Sequence, residues 1–276
     1  MSSKYLYEVD FAFLDVETTG LDPYSGDRIC EIAVLKIRNG KILDKFETLV
    51  NPGRDIPPHA VSINGITDNM VENAPFFREI AWDVFGFLRN TVIVAHNAPF
   101  DLGFLFAEFD SIKLSPPEYD EVIDTLSIAK RYYSFPSNSL GRIARYLGIP
   151  TFGEHRAFGD VRITKDVFEY FIMDLRRKGF RIERLKDIVR LQGGAVSFER
   201  SKELVLPPAI EEALRIRGKL KIKYLSAYGD VTTTRIIEPL GLSVNGKNTY
   251  IIAFCHLRKE RCAFRLDRIL EVKNVS

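Results

Sequence analysis

A chain of 276 residues, 46% hydrophobic and of net charge +2, suits one large domain or two smaller ones with ordinary cores. Its three cysteines, Cys30, Cys255 and Cys262, are odd in number and lack paired metal-ligand spacing, which excludes a disulfide framework and a zinc site and points to a reducing, cytoplasmic setting. No apolar run approaches membrane-spanning length and the first residues carry no signal-peptide pattern, so no membrane partner is expected.

Charge is spread unevenly. Residues 1–175 hold 17 Lys and Arg against 26 Asp and Glu, residues 176–203 hold 9 against 4, and residues 204–276 hold 13 against 7. An acidic front half could host metal and a basic rear could attract a polyanion, which suggests two units with different work.

Phe11 to Val16 is an apolar, β-rich run and reads as a buried strand. Arg28 to Lys36 reads as a second strand, Asn39-Gly40 as a hairpin turn and Phe46 to Val50 as a third strand. A loop over Asn51 to Pro58 leads to Ile63-Asn-Gly65-Ile66-Thr67. Phe76 to Leu88 has helical spacing, Thr91 to Ala95 is a short strand ending at His96, and Asp101 to Phe109 is the next helix. Val122 to Asp124 is a short strand, and helices follow at Leu126 to Tyr132, Leu140 to Leu147 and Val161 to Arg177. Alternating strands and helices predict an α/β layered fold.

Lys178 to Leu206 is basic, contains Gly193-Gly194 and a helical fragment near Ile182 to Leu191, and reads as a linker between expected domains 1–177 and 207–276. Pro207-Pro208 opens a helix to about Arg217. Short strands at Leu220 to Tyr224, Val231 to Glu238, Thr249 to Phe254 and Cys262 to Leu266, with turn signals at Tyr228-Gly229-Asp230 and Asn245-Gly246-Lys247, predict a small barrel.

Acids gather at element ends. Asp15 and Glu17 are two apart on the first strand, so they share a face. Two carboxylates so placed raise each other's pKa, and a hard divalent cation with oxygen ligands removes that cost, although a strand end turning polar gives the same pattern. Asp101, Asp124 and Asp160 each precede or open a helix and could each be only an N-cap. His155 lies five residues before Asp160, and His96 at its strand end reads as a structural histidine.

Taken in order, Asp15-Val-Glu17-Thr18-Thr19-Gly20, Ile63-Asn-Gly-Ile66-Thr67, His96-Asn-Ala-Pro-Phe100-Asp101 and His155-Arg-Ala-Phe-Gly159-Asp160 resemble the DEDDh branch of the DnaQ-like 3′→5′ exonucleases, to which the polymerase III proofreading epsilon subunit belongs. The resemblance covers residues 8–175 and implies an RNase H-like mixed sheet flanked by helices. It implies two ions, Mg²⁺ or Mn²⁺, with Asp15 bridging both, Glu17 and Asp160 completing the water-binding site, Asp101 holding the second ion partly through water, and His155 as general base. Thr18 and Thr19 would face the terminal 3′ nucleotide by their backbone, and Ile63 and Ile66 would wedge against its base. Histidine rather than tyrosine before the last Asp selects the branch. Val161 departs from the small residue many members carry after that Asp.

The rear stretch resembles the WYL domain, an Sm-like β-barrel, through Lys221-Ile-Lys-Tyr224, Thr234-Arg235-Ile-Ile-Glu238-Pro239 and Phe264-Arg265-Leu-Asp267-Arg268-Ile269. The name-giving Trp-Tyr-Leu is here Thr249-Tyr250-Ile251. Tyr224, Arg235, Tyr250, Arg258, Arg265 and Arg268 could line a pocket for nucleic acid or a nucleotide-like ligand, or could be solvated arginines with Asp267 paired to Arg268. The expected activity is 3′→5′ hydrolysis of nucleic acid, DNA above all, at single-stranded 3′ ends. The alternatives are a WYL regulator carrying a non-catalytic nuclease fold and a proofreading subunit bound to a polymerase or repair protein.

Overall fold

The opening apolar run forms strand β1, Phe11–Thr18, at the centre of a five-stranded sheet. The computed structural model describes residues 4–196, 206–216, 218–225, 232–245 and 248–275. The chain divides into two units, residues 1–21 with 28–200 and residues 22–27 with 201–276.

Beside β1 run β2 (Ile29–Arg38) and β3 (Lys41–Leu49), both antiparallel. They turn at Asn39 and Gly40, which both take the positive φ a two-residue hairpin requires. Then follow α1 (Pro58–Asn64), α2 (Asp68–Val71), α3 (Phe77–Leu88), β4 (Val92–Ala95), α4 (Ala98–Ser111), β5 (Glu121–Asp124), α5 (Thr125–Tyr132), α6 (Leu140–Tyr146), α7 (Ala157–Arg177) and α8 (Leu185–Gln192). The sheet order is β3-β2-β1-β4-β5, and the β1–β4 and β4–β5 pairs are parallel. This is the predicted mixed sheet with flanking helices.

The period of two along β1 makes two cores. Phe11 and Phe13 pack with Phe168 and Phe171 of α7 and with α5 and α6. Ala12, Leu14 and Val16 pack with α3 and α4 through Phe77, Val84, Leu102 and Leu105. With both faces covered, the β1 sequence is apolar throughout until Asp15.

Several boundaries differ from those predicted, each for a local reason. β3 starts at Lys41, because an exposed edge strand needs no apolar alternation. Helix α1 begins at the last residue of the predicted loop, over residues given no element from the sequence. Its Pro58 sits in the first turn, where a missing N–H costs nothing, and Gly65 at φ +71° ends it. Helices α4 and α7 begin three and four residues before the predicted Asp101 and Val161, so Asp101 and Asp160 lie inside first turns and do not cap them.

The predicted linker is corrected in its first part. Leu185, Ile188, Val189 and Leu191 of α8 are buried in the same core as Phe11 and α7. Gln192 accepts from the N–H of Asp124 and donates to the carbonyl of Val122, both at 2.9 Å. Its amide thus occupies backbone groups of β5, the last strand of the sheet. The amphipathic stretch was legible as helical, but its basic outer face disguised a core helix as connector. The remainder of the linker, from Ser197 to Val205, lies outside the described residues.

The rear unit has helix α9 (Pro208–Ile216) and strands β6 (Lys219–Leu225), β7 (Thr232–Asn245), β8 (Asn248–Cys255), β9 (Glu260–Arg265) and β10 (Ile269–Val275). All are antiparallel neighbours in the order β10-β6-β7-β8-β9. A register shift between Pro239 and Gly241 interrupts the long β7, as bulges do where a sheet bends. Ile210, Ala213, Leu220, Ile222, Ile237, Ile251, Ala253 and Phe264 make its core. Strand β10 was not predicted, because Glu271, Lys273 and Asn274 mask its weak apolar signal. The turns predicted at Tyr228–Asp230 and Gly246–Lys247 lie outside the described residues.

The burial of α8 has a direct consequence. A chain ending after Val196 should melt as one cooperative unit. A chain ending after Lys178 loses four buried aliphatic side chains, each worth about 2–5 kcal/mol, against a domain stability of about 5–15 kcal/mol. It should melt far lower or fail to fold in a circular-dichroism melt.

Candidate active site

Asp15 and Glu17 continue the Phe11 and Phe13 row of β1, so their carboxylates leave the sheet on the α7 side. Asp160, in the first turn of α7, meets them there. One carboxylate oxygen from each of Asp15, Glu17 and Asp160 lies within 4.8 Å of the other two. All three residues are half-buried.

Asp101 arrives from α4. The β4–β1 pairing ends at Val94 and Phe13, and beyond it the Asp101 Oδ1 accepts from the N–H of Val16 at 3.1 Å. The buried carboxylate thus fixes itself to the β1 backbone next to Asp15. It stands beside the three-oxygen cluster, not within it.

The electrostatics follow from this crowding. Burial first, then the charges of Asp101, Asp160, Glu17 and Glu31, hold the Asp15 carboxyl well above the usual carboxylate range. Burial and the charges of Asp160 and Glu31 push Glu17 up to about 7. Burial pushes Asp160 up to about 6, against the opposing pull of the His155 N–H. Burial likewise raises Asp101, although the Val16 N–H opposes it. Asp160 Oδ1 is buried with no hydrogen-bond partner among the described residues. Oxygen donors alone, mutual repulsion and an unsatisfied carboxylate oxygen fit a hard divalent cation.

His155 sits in the turn before α7. Its N–H donates to Asp160 Oδ2 at 3.3 Å, and its exposed imidazole lies 3.8 Å from Glu154 Oε1. Its backbone is left-handed, φ +64°, an uncommon state for a residue with a side chain. Gly159 lets this turn close on the helix, since a Cβ there would lie 1.8 Å from the carbonyl oxygen of Gly153.

Sequence reasoning missed Glu31. It lies on β2 directly opposite Glu17 and is almost fully buried. Its carboxylate receives the Arg156 guanidinium, with Nε 3.1 Å from both oxygens, and also the N–H of Ala157 at 2.8 Å. Glu31 therefore holds the first turn of α7 and the residue after His155 against the sheet. The signal for it was an acid in an otherwise apolar strand, Ile29-Cys-Glu31-Ile-Ala.

Beside Glu17 lies a cleft of about 260 Å³, lined among others by Thr18, Leu21, His59, Ile63, Asn64 and Phe100. Ile63 is 58% exposed at this cleft. Ile66 is not available to a ligand, because it is fully buried with Cys30, Ile56 and Val71. The Thr19 N–H is taken by the carbonyl of Arg28 at 2.9 Å. Asn64 connects the cleft to β1 by donating to the carbonyl of Thr18 at 3.4 Å. His96 is structural as predicted: its ring nitrogens lie 2.9 Å from Thr125 Oγ1 and from the carbonyl of Asn138, and burial lowers its pKa. Asp124 caps α5 through the Leu126 N–H and also receives the Asn97 N–H.

Residues 12–168, more than half of the chain, match the family model described as Exonuclease. The chain belongs to the Exonuclease (RNase_T) family. Its sequence is 40% identical to a PolC-type DNA polymerase III of Thermotoga petrophila over 183 residues, which is 65% of this chain and 13% of that protein. It is 34% identical to the 3′-5′ exonuclease DinG of Bacillus subtilis over 188 residues, 68% of this chain and 20% of that one. The exonuclease-family chain thus matches a minor share of these relatives' own length. Among solved structures it is similar to Exonuclease X in complex with 5′ overhanging duplex DNA, with TM-score 0.51 and 26% identity, covering 66% of this chain and 99% of that one.

Residues 207–274 of this exonuclease-family chain match the WYL domain. Of the six residues predicted there as a pocket, Tyr224 and Arg265 meet directly, the Arg265 N–H donating to Tyr224 Oη at 3.2 Å, and Tyr250 is paired with Arg265 across the strands. Asp267 pairs with Arg265 at 2.6 and 2.8 Å and not with Arg268, the pairing named in the alternative reading, because the short turn over Leu266–Arg268 brings residues two apart together. Arg235 lies 5.8 Å from the centre of the Phe264 ring and donates to Thr233 Oγ1 at 3.1 Å and to the Cys255 thiol. Arg258 stands in the β8–β9 turn, 3.9 Å from Glu260.

Two measurements check the site. Glu31→Ala removes the partner of Arg156 and of the Ala157 N–H and should cost about 1–3 kcal/mol in urea denaturation. The raised carboxyls also set a pH dependence. Folded pKa values of about 7 for Glu17 and about 6 for Asp160 exceed their ordinary values of 4.5 and 3.8. Their contribution is fully present below those ordinary values and is lost as pH rises through 6 to 7. In EDTA, this cluster should lower the melting temperature as pH rises across that window. Mg²⁺ added at the upper end should restore it.

Proposed function

We propose that the chain is a metal-dependent 3′→5′ exonuclease that removes nucleoside 5′-monophosphates from the 3′ end of nucleic acid, DNA above all. The observation that carries this reading is the meeting of Asp15, Glu17 and Asp160 on one face of β1 and α7, with Asp101 and His155 beside them. The name of the DinG relative supports the direction of hydrolysis. The three free cysteines fit a cytoplasmic setting, and among the described residues no helix is long and apolar enough to cross a membrane.

Asp15, Glu17 and Asp160, with Asp101, would hold the divalent cations, Mg²⁺ or Mn²⁺. Bound there, they supply Lewis-acid charge to the attacking water and the leaving oxygen. His155 takes the proton of that water as its oxygen attacks the phosphorus of the terminal nucleotide. The bond from phosphorus to the 3′-oxygen of the preceding nucleotide breaks, and that oxygen leaves and gains a proton as a 3′-hydroxyl. An imidazole exposed on a turn pinned by Asp160 and Gly159 is placed to take a proton from that water. The cleft beside Glu17 seats the terminal nucleoside, with Ile63 against its base.

In the WYL-like unit, Tyr224, Tyr250, Arg235 and Arg265 would bind nucleic acid or a nucleotide-like ligand. A second reading, a proofreading role beside a polymerase, is favoured by the 40% identity to a PolC-type polymerase. Digestion of 3′- and 5′-labelled single and double strands of DNA and RNA, with Mg²⁺, Mn²⁺ or EDTA, tests the proposal. Shortening from the 3′ end should require metal. Asp15→Ala should abolish it, and His155→Ala should slow it about 10²–10⁴-fold with metal affinity little changed. Near-normal turnover by Asp15→Ala would overturn the mechanism.

A further inference from the structure

The outer face of the rear sheet carries a charge arrangement that neither proposed site uses. Along β6, Leu220 and Ile222 are buried while Lys219, Lys221 and Lys223 point outward. Two of these lysines are neutralised: Lys219 lies 3.4 Å from Glu238 and Lys223 lies 3.3 Å from Glu271. The central one is not. Lys221 stands directly opposite Lys273 of β10 in the antiparallel register. Neither forms an ion pair among the described residues. Like charges directly opposite across two strands destabilise a sheet. Lys221, Ile222, Lys223, Thr234, Glu271 and Lys273 line a groove of about 320 Å³.

We infer that this groove is a seat for the phosphodiester backbone of a single strand, with the Lys221 and Lys273 ammonium groups on its phosphates and the Thr234 hydroxyl beside them. Charge complementarity selects an anion, since Glu271 in the groove is paired with Lys223 and the two central cations have no ion-pair partner among the described residues. Among the described residues the groove has no aromatic ring on which a base could stack, so it grips the charged backbone without reading sequence. Lysine suits this role as a compact point charge. The surface is distinct from the arginines and tyrosines at Phe264, because Lys221 and Lys273 lie on the face opposite the core. The choice of nucleic acid as the anion rests on the proposed nuclease activity.

The test measures binding of a long phosphorothioate single strand in EDTA across a salt series, on the full chain. Each phosphate contact to a single strand contributes about 0.7 to the slope of log affinity against log salt. The double variant Lys221→Ala/Lys273→Ala should therefore bind more weakly, with a slope shallower by about 1.4. Lys221→Arg/Lys273→Arg, which keeps both charges, should retain the slope. The alanine pair should fold, with a melting temperature at or above that of the unaltered chain, because a like-charge pair is removed. An unchanged slope in the folded alanine variant overturns the inference. So does loss of poly-glutamate binding with strand binding intact, which would assign the groove to an acidic protein. Hydrolysis of a dinucleotide by the unaltered chain with Mn²⁺ tests the nuclease reading separately.

Discussion

Repulsion among carboxylates at the end of β1 is the constraint on which the front unit depends. Asp15, Glu17, Asp101 and Asp160 are each pushed toward protonation by burial and by the charges of their neighbours. A fold optimised only for stability would replace some of them with apolar residues. Here Asp15 and Glu17, on alternate positions of a central strand, meet Asp160 in the first turn of the helix packed over it, with Asp101 beside them. The apolar partners that make this possible are Phe11 and Phe13 packed on Phe168, which lock β1 against α7 just below the acids.

The chain holds this cluster rigidly by buried polar contacts of a different kind. Glu31 is buried, but it is neutralised by Arg156 and by a helix N-terminal N–H. Asp101 accepts from the Val16 N–H with one oxygen, and its charge helps to raise the Asp15 carboxyl. Glu31 and Asp101 are braced by these contacts, while Asp160 Oδ1 has no hydrogen-bond partner among the described residues. The same contrast appears in the rear unit, where, among the described residues, Lys219 and Lys223 have carboxylates and Lys221 and Lys273 do not. In both units unbalanced like charge stands on a well-packed sheet, which supplies the stability that the charge removes.

The sequence alone determined the alternation that places Asp15 and Glu17 on one face, because the β period is local and needs no partner. It also determined the α/β class, the hairpin at Asn39-Gly40 and the structural role of His96. Tertiary structure decided what local pattern cannot encode. Helix α8 read as a basic connector, since its membership of the core depends on Phe11 and α7, far away in sequence. Glu31 read as one acid in a strand, and only the crossing of α7 over β2 shows it gripping Arg156. Ile63 and Ile66 read as equivalent, yet the turn at Gly65 sends one to the cleft and the other into a core. Asp267 chose Arg265 over its neighbour because a tight turn brings residues two apart together. In each case the deciding contact joins groups whose relation is set by the path of the chain in space, and that path is fixed only once the whole core has packed.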